Sequence, residues 1–215
     1  MTIHDACNDA RCSRDAQQAA LMATSRSLRL VRSIALVVGL LASISALAND
    51  VAWNALASGG QVVLIRHTIT TAGVGDPPGM RLDDCSSQRN LSDEGRRHAR
   101  EIGDAFRARR IAIDRVLSSP WCRCLETARL AFGKTETEAA LGNLFGRPDQ
   151  TTSRVAAMRK LVYAHRGSGN LILVSHGSTI AALTGVSLAP GEFVVLSTRS
   201  DGAFQVVGRL VAYRE

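Results

Sequence analysis

The sequence NLILVSH, residues 170–176, places a histidine directly after an apolar run, and QVVLIRH, residues 61–67, does the same earlier in the chain. Neither run alternates with polar residues, which is typical of strands buried on both faces of a parallel sheet. Because the carboxyl ends of parallel strands lie at one edge of a sheet, neighbouring strands would bring His67 and His176 together. The two runs therefore predict the centre of the fold and the edge at which a ligand binds.

Helical patterns and further short strands flank these two runs. Ser92 has the character of an N-cap, and Asp93 and Glu94 follow in the first turn, where carboxylates favour the helix dipole, so a helix is predicted to about Arg109. The other predicted helices are Cys122–Phe132, Ser153–His165 and Ser178–Leu183, and the other predicted strands are Arg115–Ser118 and two edge strands, Glu192–Thr198 and Ala203–Tyr213. This alternation predicts an α/β sandwich with a largely parallel central sheet.

Composition limits the classes of protein that the chain can belong to. Of 215 residues, 46% are hydrophobic and 21% are charged, which excludes a disordered chain and a polytopic membrane protein. The formal net charge of +7 is carried almost wholly by arginine, since Lys134 and Lys160 are the only lysines. Such a chain suits anionic partners, although a coding bias toward arginine explains the charge equally well. No aromatic residues interleave with the basic ones, so no nucleic-acid partner is predicted.

The first 48 residues have the pattern of a secretory signal peptide. Residues 26–33 carry three arginines, residues 34–47 are apolar, and Ala46-Leu47-Ala48 fits a signal-peptidase site. We therefore expect a periplasmic or secreted domain over residues 49–215, with no membrane span after cleavage; an uncleaved N-terminal anchor is the alternative. Met22 would begin a more typical signal, in which case Cys7 and Cys12 are not made.

The residues expected beside the two strand-end histidines are arginines rather than carboxylates. Arg66 precedes His67, and Arg123 begins the helix after a third strand. Two imidazoles and two guanidinium groups suit a phosphoryl group, because guanidinium donors match phosphate oxygens and imidazole can attack phosphorus. The same arginines oppose a zinc site, so no metal and no cofactor are predicted. Gly177, at the start of the following helix, would add backbone N–H donors.

Four motifs in order resemble those of the histidine phosphatase (phosphoglycerate-mutase-like) superfamily. They are VLIRHT at 63–68, LSDEGRRHA at 91–99, LSSPWCRCLETA at 117–128 and LVSHGS at 173–178. The resemblance covers about residues 60–210 and implies a three-layer α/β/α sandwich. It implies that His67 is a nucleophile that becomes phosphohistidine, and that Arg66, Arg123 and His176 hold the phosphoryl oxygens.

The resemblance also implies an activity, with alternatives. The expected function is a metal-independent phosphatase that hydrolyses a phosphomonoester; a non-catalytic phosphate-binding module of the same fold and a phosphomutase are the alternatives. With its predicted export, the chain resembles small periplasmic members of the superfamily, which include lipopolysaccharide core heptose-phosphate phosphatases. A small phosphorylated substrate is therefore expected, with an envelope sugar phosphate as one candidate. The oligomeric state is not indicated.

Two positions depart from the family pattern. The residue after the nucleophilic histidine is usually glycine, but here it is Thr68, a substrate-binding candidate. Several branches place an acidic Glu where this chain has Asn143. Asp83 and Asp84, in the Gly- and Pro-rich loop of residues 71–90, are the expected sources of the leaving-group proton. His98 and His165 are expected to lie on solvated helix faces.

Three cysteines lie in the domain, and the proposed fold brings them near one another. Cys85 belongs to the loop that passes over the pocket, and Cys122 and Cys124 flank Arg123. Because residues two apart on a helix point about 200° apart, only one of these two can face the loop. We expect a disulfide from Cys85 to Cys122 or Cys124, with Cys122 favoured; three reduced cysteines are the alternative.

Overall fold

One mixed sheet forms the centre of the structure. The structure, a computed structural model, describes residues 49–199 and 201–213, so the predicted signal peptide, its cleavage site, Cys7 and Cys12 lie outside the described residues. Within these ranges the strands are β1 (Val62–Arg66), β2 (Ile113–Ser118), β3 (Glu136–Thr137), β4 (Asn170–Ser175), β5 (Phe193–Thr198) and β6 (Phe204–Leu210). Their order in the sheet is β3-β2-β4-β1-β5-β6.

The sheet is parallel over its first four strands and antiparallel at its other side. Strand β1 pairs in parallel with β4, and β4 pairs in parallel with β2, which in turn pairs with β3. Strands β5 and β6 continue the sheet as an antiparallel pair beside β1. The predicted largely parallel α/β sheet is thus confirmed, and the two apolar runs at its centre are neighbours, with Arg66 in register with Ser175.

Helices cover both faces of this sheet. They are α1 (residues 49–58), α2 (Asp93–Ala108), α3 (Cys122–Phe132), α4 (Thr151–Ala164) and α5 (Gly177–Thr184). The predicted caps explain two of the ends: the Ser92 hydroxyl accepts from the Gly95 N–H at the start of α2, and Gly185 closes α5 in the left-handed region. No helix in the described ranges has both the length and the apolar character to cross a membrane.

Alternate residues of the central strands build two separate cores. Val63 and Ile65 pack with side chains of α1, α2 and α3, whereas Val62 and Leu64 pack with side chains of α4 and α5. All four strand residues are fully buried, as expected for a strand covered on both faces. The architecture is therefore the expected three-layer α/β/α sandwich.

Several element assignments from the sequence need correction. Strand β5 is not an edge strand: it lies between β1 and β6, and its residues Phe193–Leu196 are fully buried. The helix at 49–58 and the two-residue strand β3 were not expected. His98 is 2% exposed rather than solvated, because its ring stacks on Tyr213 with the centroids 4.1 Å apart.

Helices α2 and α3 approach each other closely at Gly103. A β-carbon added at this glycine would lie 2.1 Å from the carbonyl oxygen of Ala131 on α3, inside van der Waals contact. The contact is with backbone, so relieving it would require the helices to separate. Glycine is thus retained inside α2 despite its low helix propensity.

We expect Gly103→Ala to lower the free energy of unfolding. Helix propensity alone would favour alanine by about 1 kcal/mol, but the clash with the Ala131 carbonyl should reverse the sign and cost about 1–3 kcal/mol net. Urea unfolding followed by circular dichroism measures the difference. A variant more stable than the wild type would show that α2 and α3 do not pack as described.

Candidate active site

Two buried histidines meet at the carboxyl edge of the sheet. His67 follows β1 and His176 follows β4, and the backbone N–H of His67 donates to the Ser175 carbonyl at 3.0 Å. The two imidazole centroids are 5.3 Å apart, and the side chains are only 5% and 2% exposed. Pairing of β1 with β4 therefore brings together the two residues that the sequence placed at strand ends.

His67 is held as a neutral imidazole with one free lone pair. Its Nδ1 lies 2.9 Å from the carbonyl oxygen of Thr68, which can only accept, so Nδ1 carries the proton and Nε2 does not. Burial lowers the pKa of His67 to about 3, and the positive charges of Arg123 and Arg66 act in the same direction. The hydrogen bond to Thr68 opposes this shift but does not outweigh it. An unprotonated Nε2 is what a nucleophile requires.

His176 is fixed on both ring nitrogens. Nε2 lies 2.8 Å from the Ser119 hydroxyl, and Nδ1 lies 3.5 Å from Nη2 of Arg123. Since the guanidinium can only donate, Nδ1 accepts and Nε2 donates to Ser119. Burial, followed by the proximity of His67 and Arg123, holds the pKa of His176 well below its ordinary value.

Two arginines beside the histidines share one mode of attachment. Nη1 of Arg66 donates to the Leu188 carbonyl at 2.6 Å, and Nη1 of Arg89 donates to the Gly73 carbonyl. The Nε atom of each is buried and has no hydrogen-bond partner. Unpaired buried N–H donors are costly, and they indicate a site that a ligand satisfies. Burial and the charge of Arg89 lower the pKa of Arg66.

Arg123, at the start of α3, completes this set of guanidinium groups. It is 1% exposed, and its Nη1 and Nη2 donate to the two carboxylate oxygens of Asp76 at 2.6 and 3.2 Å. Its Nε is again buried without a partner. Burial opposes ionisation of Asp76, but the hydrogen bonds and charge of Arg123, aided by the Arg89 backbone N–H and the Trp121 indole, hold its pKa below the ordinary value.

These side chains line one cleft, which we call the strand-end cleft. Its volume is about 440 Å³, and both histidines and all three arginines line it together with Asn143 and Gly177. A second cleft of about 410 Å³, between the ends of α2, α3 and β2, has no histidine and no cysteine among its lining residues. The chemistry that the sequence indicated therefore belongs to the strand-end cleft.

Of two further residues predicted for this site, Thr68 does not line the cleft and Gly177 does. Thr68 is fully buried, and its backbone N–H and hydroxyl lie 3.3 Å from the Thr127 hydroxyl, so it joins the strand end to α3 and does not line the cleft. Gly177 lines the cleft for want of a side chain: a β-carbon there would lie 3.2 Å from Nε of Arg66. A glycine at this position leaves the space beside that N–H donor free of a side chain.

The structure does not bring the two predicted acids into the cleft. The Asp83 side chain is 81% exposed and pairs with Arg81. Asp84 caps a short 3₁₀ helix by accepting from the backbone N–H of Ser86. Each short carboxylate is bound to neighbours in its own turn, so neither reaches the cleft, and the carboxylate beside the arginines is Asp76.

Arg89 and Asp76 were missed because both lie in the loop of residues 71–90, which has no periodic pattern. No pattern in the sequence of this loop marks either residue. The Asn143 side chain, at the position where the resemblance led us to expect an acid, accepts from the Ser178 hydroxyl at 3.0 Å.

The structure joins Cys85 to Cys122 and leaves Cys124 buried and free. The bond ties the loop that carries Asp76 and Arg89 to the first residue of α3, next to Arg123. The backbone N–H of Cys122 also donates to Oε1 of Gln88 at 2.9 Å, which adds a second tie. Burial raises the pKa of the Cys124 thiol to about 12.

No group of three or more histidine, cysteine or acidic side chains in the described residues is arranged to hold a metal ion. The guanidinium groups occupy the positions around the histidines where further ligands would stand. The positive charge of the three guanidinium groups suits an anion in this cleft.

Comparison with known proteins agrees with this geometry. Residues 62–144 match the family model of the histidine phosphatase superfamily (branch 1), a range that includes His67, Arg89 and Arg123. Over these residues the chain is similar to the histidine phosphatase superfamily. No curated protein matches it in sequence.

Solved structures of several phosphatases share the fold. A protein histidine phosphatase, SixA, complexed with tungstate aligns with a TM-score of 0.53 at 16% identity, over 71% of this chain and 97% of that one. A phosphoserine phosphatase mutant from Entamoeba histolytica, in complex with phosphoserine, aligns at 0.53 and 14% identity over 69% and 95%. The mycobacterial glucosyl-3-phosphoglycerate phosphatase Rv2419c aligns at 0.50 and 18% identity over 68% and 96%. These likenesses show the fold.

We expect the histidine pair to make the protein less stable in acid. The pKa of His67 is about 3 in the folded protein and about 6.5 in the unfolded chain. Between these two pH values the unfolded chain therefore binds a proton at His67 and the folded protein does not. The free energy of unfolding should therefore fall as the pH drops below about 6.5, by ~1.4 kcal/mol per pH unit for each of the two imidazoles of the pair.

Urea titrations at pH 7, 6 and 5 measure this slope, and His67→Asn should make it shallower. An equal slope in wild type and variant would show that His67 titrates normally in the folded protein.

Proposed function

We propose that this protein is a phosphomonoester hydrolase that works through a phosphohistidine on Nε2 of His67. The observation that carries the proposal is the combination of an unprotonated Nε2 with three arginines that line the same cleft and whose Nε donors are buried without a partner. Unpaired guanidinium donors beside a nucleophilic imidazole suit a phosphoryl group, because its oxygens carry high negative charge.

The residues divide the first step of the reaction among them. Nε2 of His67 attacks phosphorus, and the bond from phosphorus to the leaving oxygen breaks. Arg66, Arg89 and Arg123 bind the phosphoryl oxygens and neutralise charge that develops in the transition state. His176 lies beside Arg123, and phosphoryl binding would convert its Nδ1 to a donor by raising the affinity of the ring for a proton.

Water attacks the phosphohistidine in the second step, which releases phosphate and returns Nε2 to its neutral state. Asp76 is held ionised by Arg123, so it is a poor source of the proton for the leaving oxygen in the first step. We infer that leaving groups that need little protonation, such as phenols, react faster than the alkoxide of a sugar or alkyl phosphate. A small phosphorylated molecule fits the cleft of about 440 Å³.

Export and metal independence belong to this proposal. A disulfide such as Cys85–Cys122 persists in oxidising compartments, which supports the predicted signal peptide and a periplasmic or secreted location. The arginines supply the positive charge that a metal supplies in other phosphatases. An envelope sugar phosphate is a candidate substrate on the grounds of location.

We expect rapid quenching with a ³²P-labelled aryl phosphate to trap acid-labile, alkali-stable phosphate on His67. His67→Asn should abolish both the label and turnover, because it removes the nucleophile, whereas His165→Asn, outside the cleft, should keep both. Mass spectrometry of the labelled peptide locates the phosphate.

Label on His176, or full turnover by His67→Asn, would contradict the proposal. Label without release of inorganic phosphate, but with transfer to an added alcohol, would identify a mutase or transferase. If no phosphomonoester gives label or turnover, the result would favour a non-catalytic phosphate-binding module.

We expect phosphatase activity to survive exhaustive treatment with EDTA, since Arg66, Arg89 and Arg123 provide the charge that binds the phosphoryl group. Turnover of the aryl phosphate before and after treatment measures this. Loss of activity with chelator and recovery with added Zn²⁺ or Mg²⁺ would show that a metal ion takes part.

A further inference from the structure

The carboxylate of Asp76 occupies one edge of the Arg123 guanidinium. Its two oxygens accept from Nη1 and Nη2 at 2.6 and 3.2 Å, so the pairing is bidentate and end-on. The ion pair is almost out of solvent, with the Arg123 side chain 1% and the Asp76 side chain 10% exposed. A fork-to-fork pair of this kind fixes the plane of the guanidinium group as well as its position.

The other edge of this guanidinium points toward the histidines. A guanidinium group offers two parallel pairs of donors: the end-on pair of Nη1 and Nη2, and the side-on pair of Nε and Nη2. Nη2 lies 3.5 Å from Nδ1 of His176, and Nε is buried without a partner. The end-on clamp by Asp76 therefore leaves the side-on pair for an anion beside the histidines.

Asp76 is itself held in place by donors from two other segments. Oδ2 accepts from the Trp121 indole at 3.1 Å, and Oδ1 accepts from the backbone N–H of Arg89 at 3.2 Å. Trp121 immediately precedes α3, and Arg89 is the neighbouring arginine of the cleft. The Asp76 carboxylate is thus held in place by groups from two other segments of the site.

Charge gives the clamp a second effect. Burial and the proximity of Arg123 both lower the pKa of Arg89, and the negative charge of Asp76 acts in the opposite direction. Asp76 thus offsets part of the repulsion between Arg89 and Arg123. The negative charge of Glu192 acts on Arg66 in the same direction and raises its pKa.

We propose that Asp76 is a positioning residue, which holds Arg123 by its end-on edge so that its side-on edge receives the phosphoryl oxygens in the transition state. The proposal rests on the proposed function. It differs from two other roles of the same contact: a plain anchor for the loop of residues 71–90, and a carboxylate that occupies the phosphate site and must leave before substrate binds.

The kinetics of Asp76→Asn separate these roles. Asparagine keeps the size of the side chain but has one acceptor oxygen and no charge, so Arg123 is held less firmly while the cleft gains positive charge. We expect kcat for an aryl phosphate to fall ~10- to 100-fold, since small errors in orientation are costly in the transition state, and KM not to rise. Asp83→Asn, an exposed carboxylate of the same loop, should match the wild type.

A double-mutant cycle tests whether Asp76 acts through Arg123. Lysine cannot form the bidentate pair, so Asp76→Asn should lower kcat no further in an Arg123→Lys background. An equal fall in both backgrounds would overturn the proposal. So would an unchanged kcat with a raised KM, which marks a loop anchor, or an unchanged kcat with a lowered KM, which marks a competitor of phosphate.

Wild-type protein supplies a measurement that does not depend on a variant folding. On addition of orthophosphate, the Nε–H resonance of Arg123 should shift, while the Trp121 indole N–H resonance should keep its hydrogen-bonded position because Asp76 stays in place. An indole resonance that moves to the position of a free indole would show that Asp76 leaves, against the proposal. The wild-type turnover itself reports on the proposed function: a wild-type enzyme without phosphatase activity defeats that function, whereas an active enzyme with an indifferent Asp76 defeats only the positioning role.

Discussion

Mutual repulsion among three guanidinium groups at one edge of the sheet is the constraint around which this structure is arranged. Burial of a charge is costly unless it is paired, and Arg66, Arg89 and Arg123 share one cleft. Each is held by its Nη1 to a carbonyl or carboxylate, and the two imidazoles between them are neutral. The protein thus keeps the cations apart without filling the space in which an anion binds.

The loop of residues 71–90 carries two of the groups that this arrangement needs, so its position matters as much as that of the strands. It is tied to the start of α3 by the Cys85–Cys122 bond, by the Gln88 side chain and by the ion pair from Asp76 to Arg123. A loop that contains no strand and no α-helix is thereby fixed to α3 at three points. The strands position the histidines, and the ties position the loop arginine.

The sequence predicts those parts of the site that follow regular elements. His67 and His176 could be placed because apolar runs precede them and parallel strands end together, and Arg123 because it begins a helix. Asp76 and Arg89 could not, because their positions depend on a disulfide and on side-chain contacts across about 50 residues of chain, for which a single sequence carries no periodic signal. The burial of His98 depends likewise on Tyr213, near the other end of the domain.

Cys124 lies under the site with its sulfur 3.5 Å from Nε2 of His176, fully buried and with its pKa raised to about 12. As a thiol it is neither accessible nor ionised, so reagents that modify cysteine cannot reach it while α3 remains packed on the sheet. Its rate of alkylation is then a measure of how often that packing opens. The Cys124 thiol is therefore a natural probe of local opening beneath the histidines. Neither a label nor a substitution has to be introduced to use it.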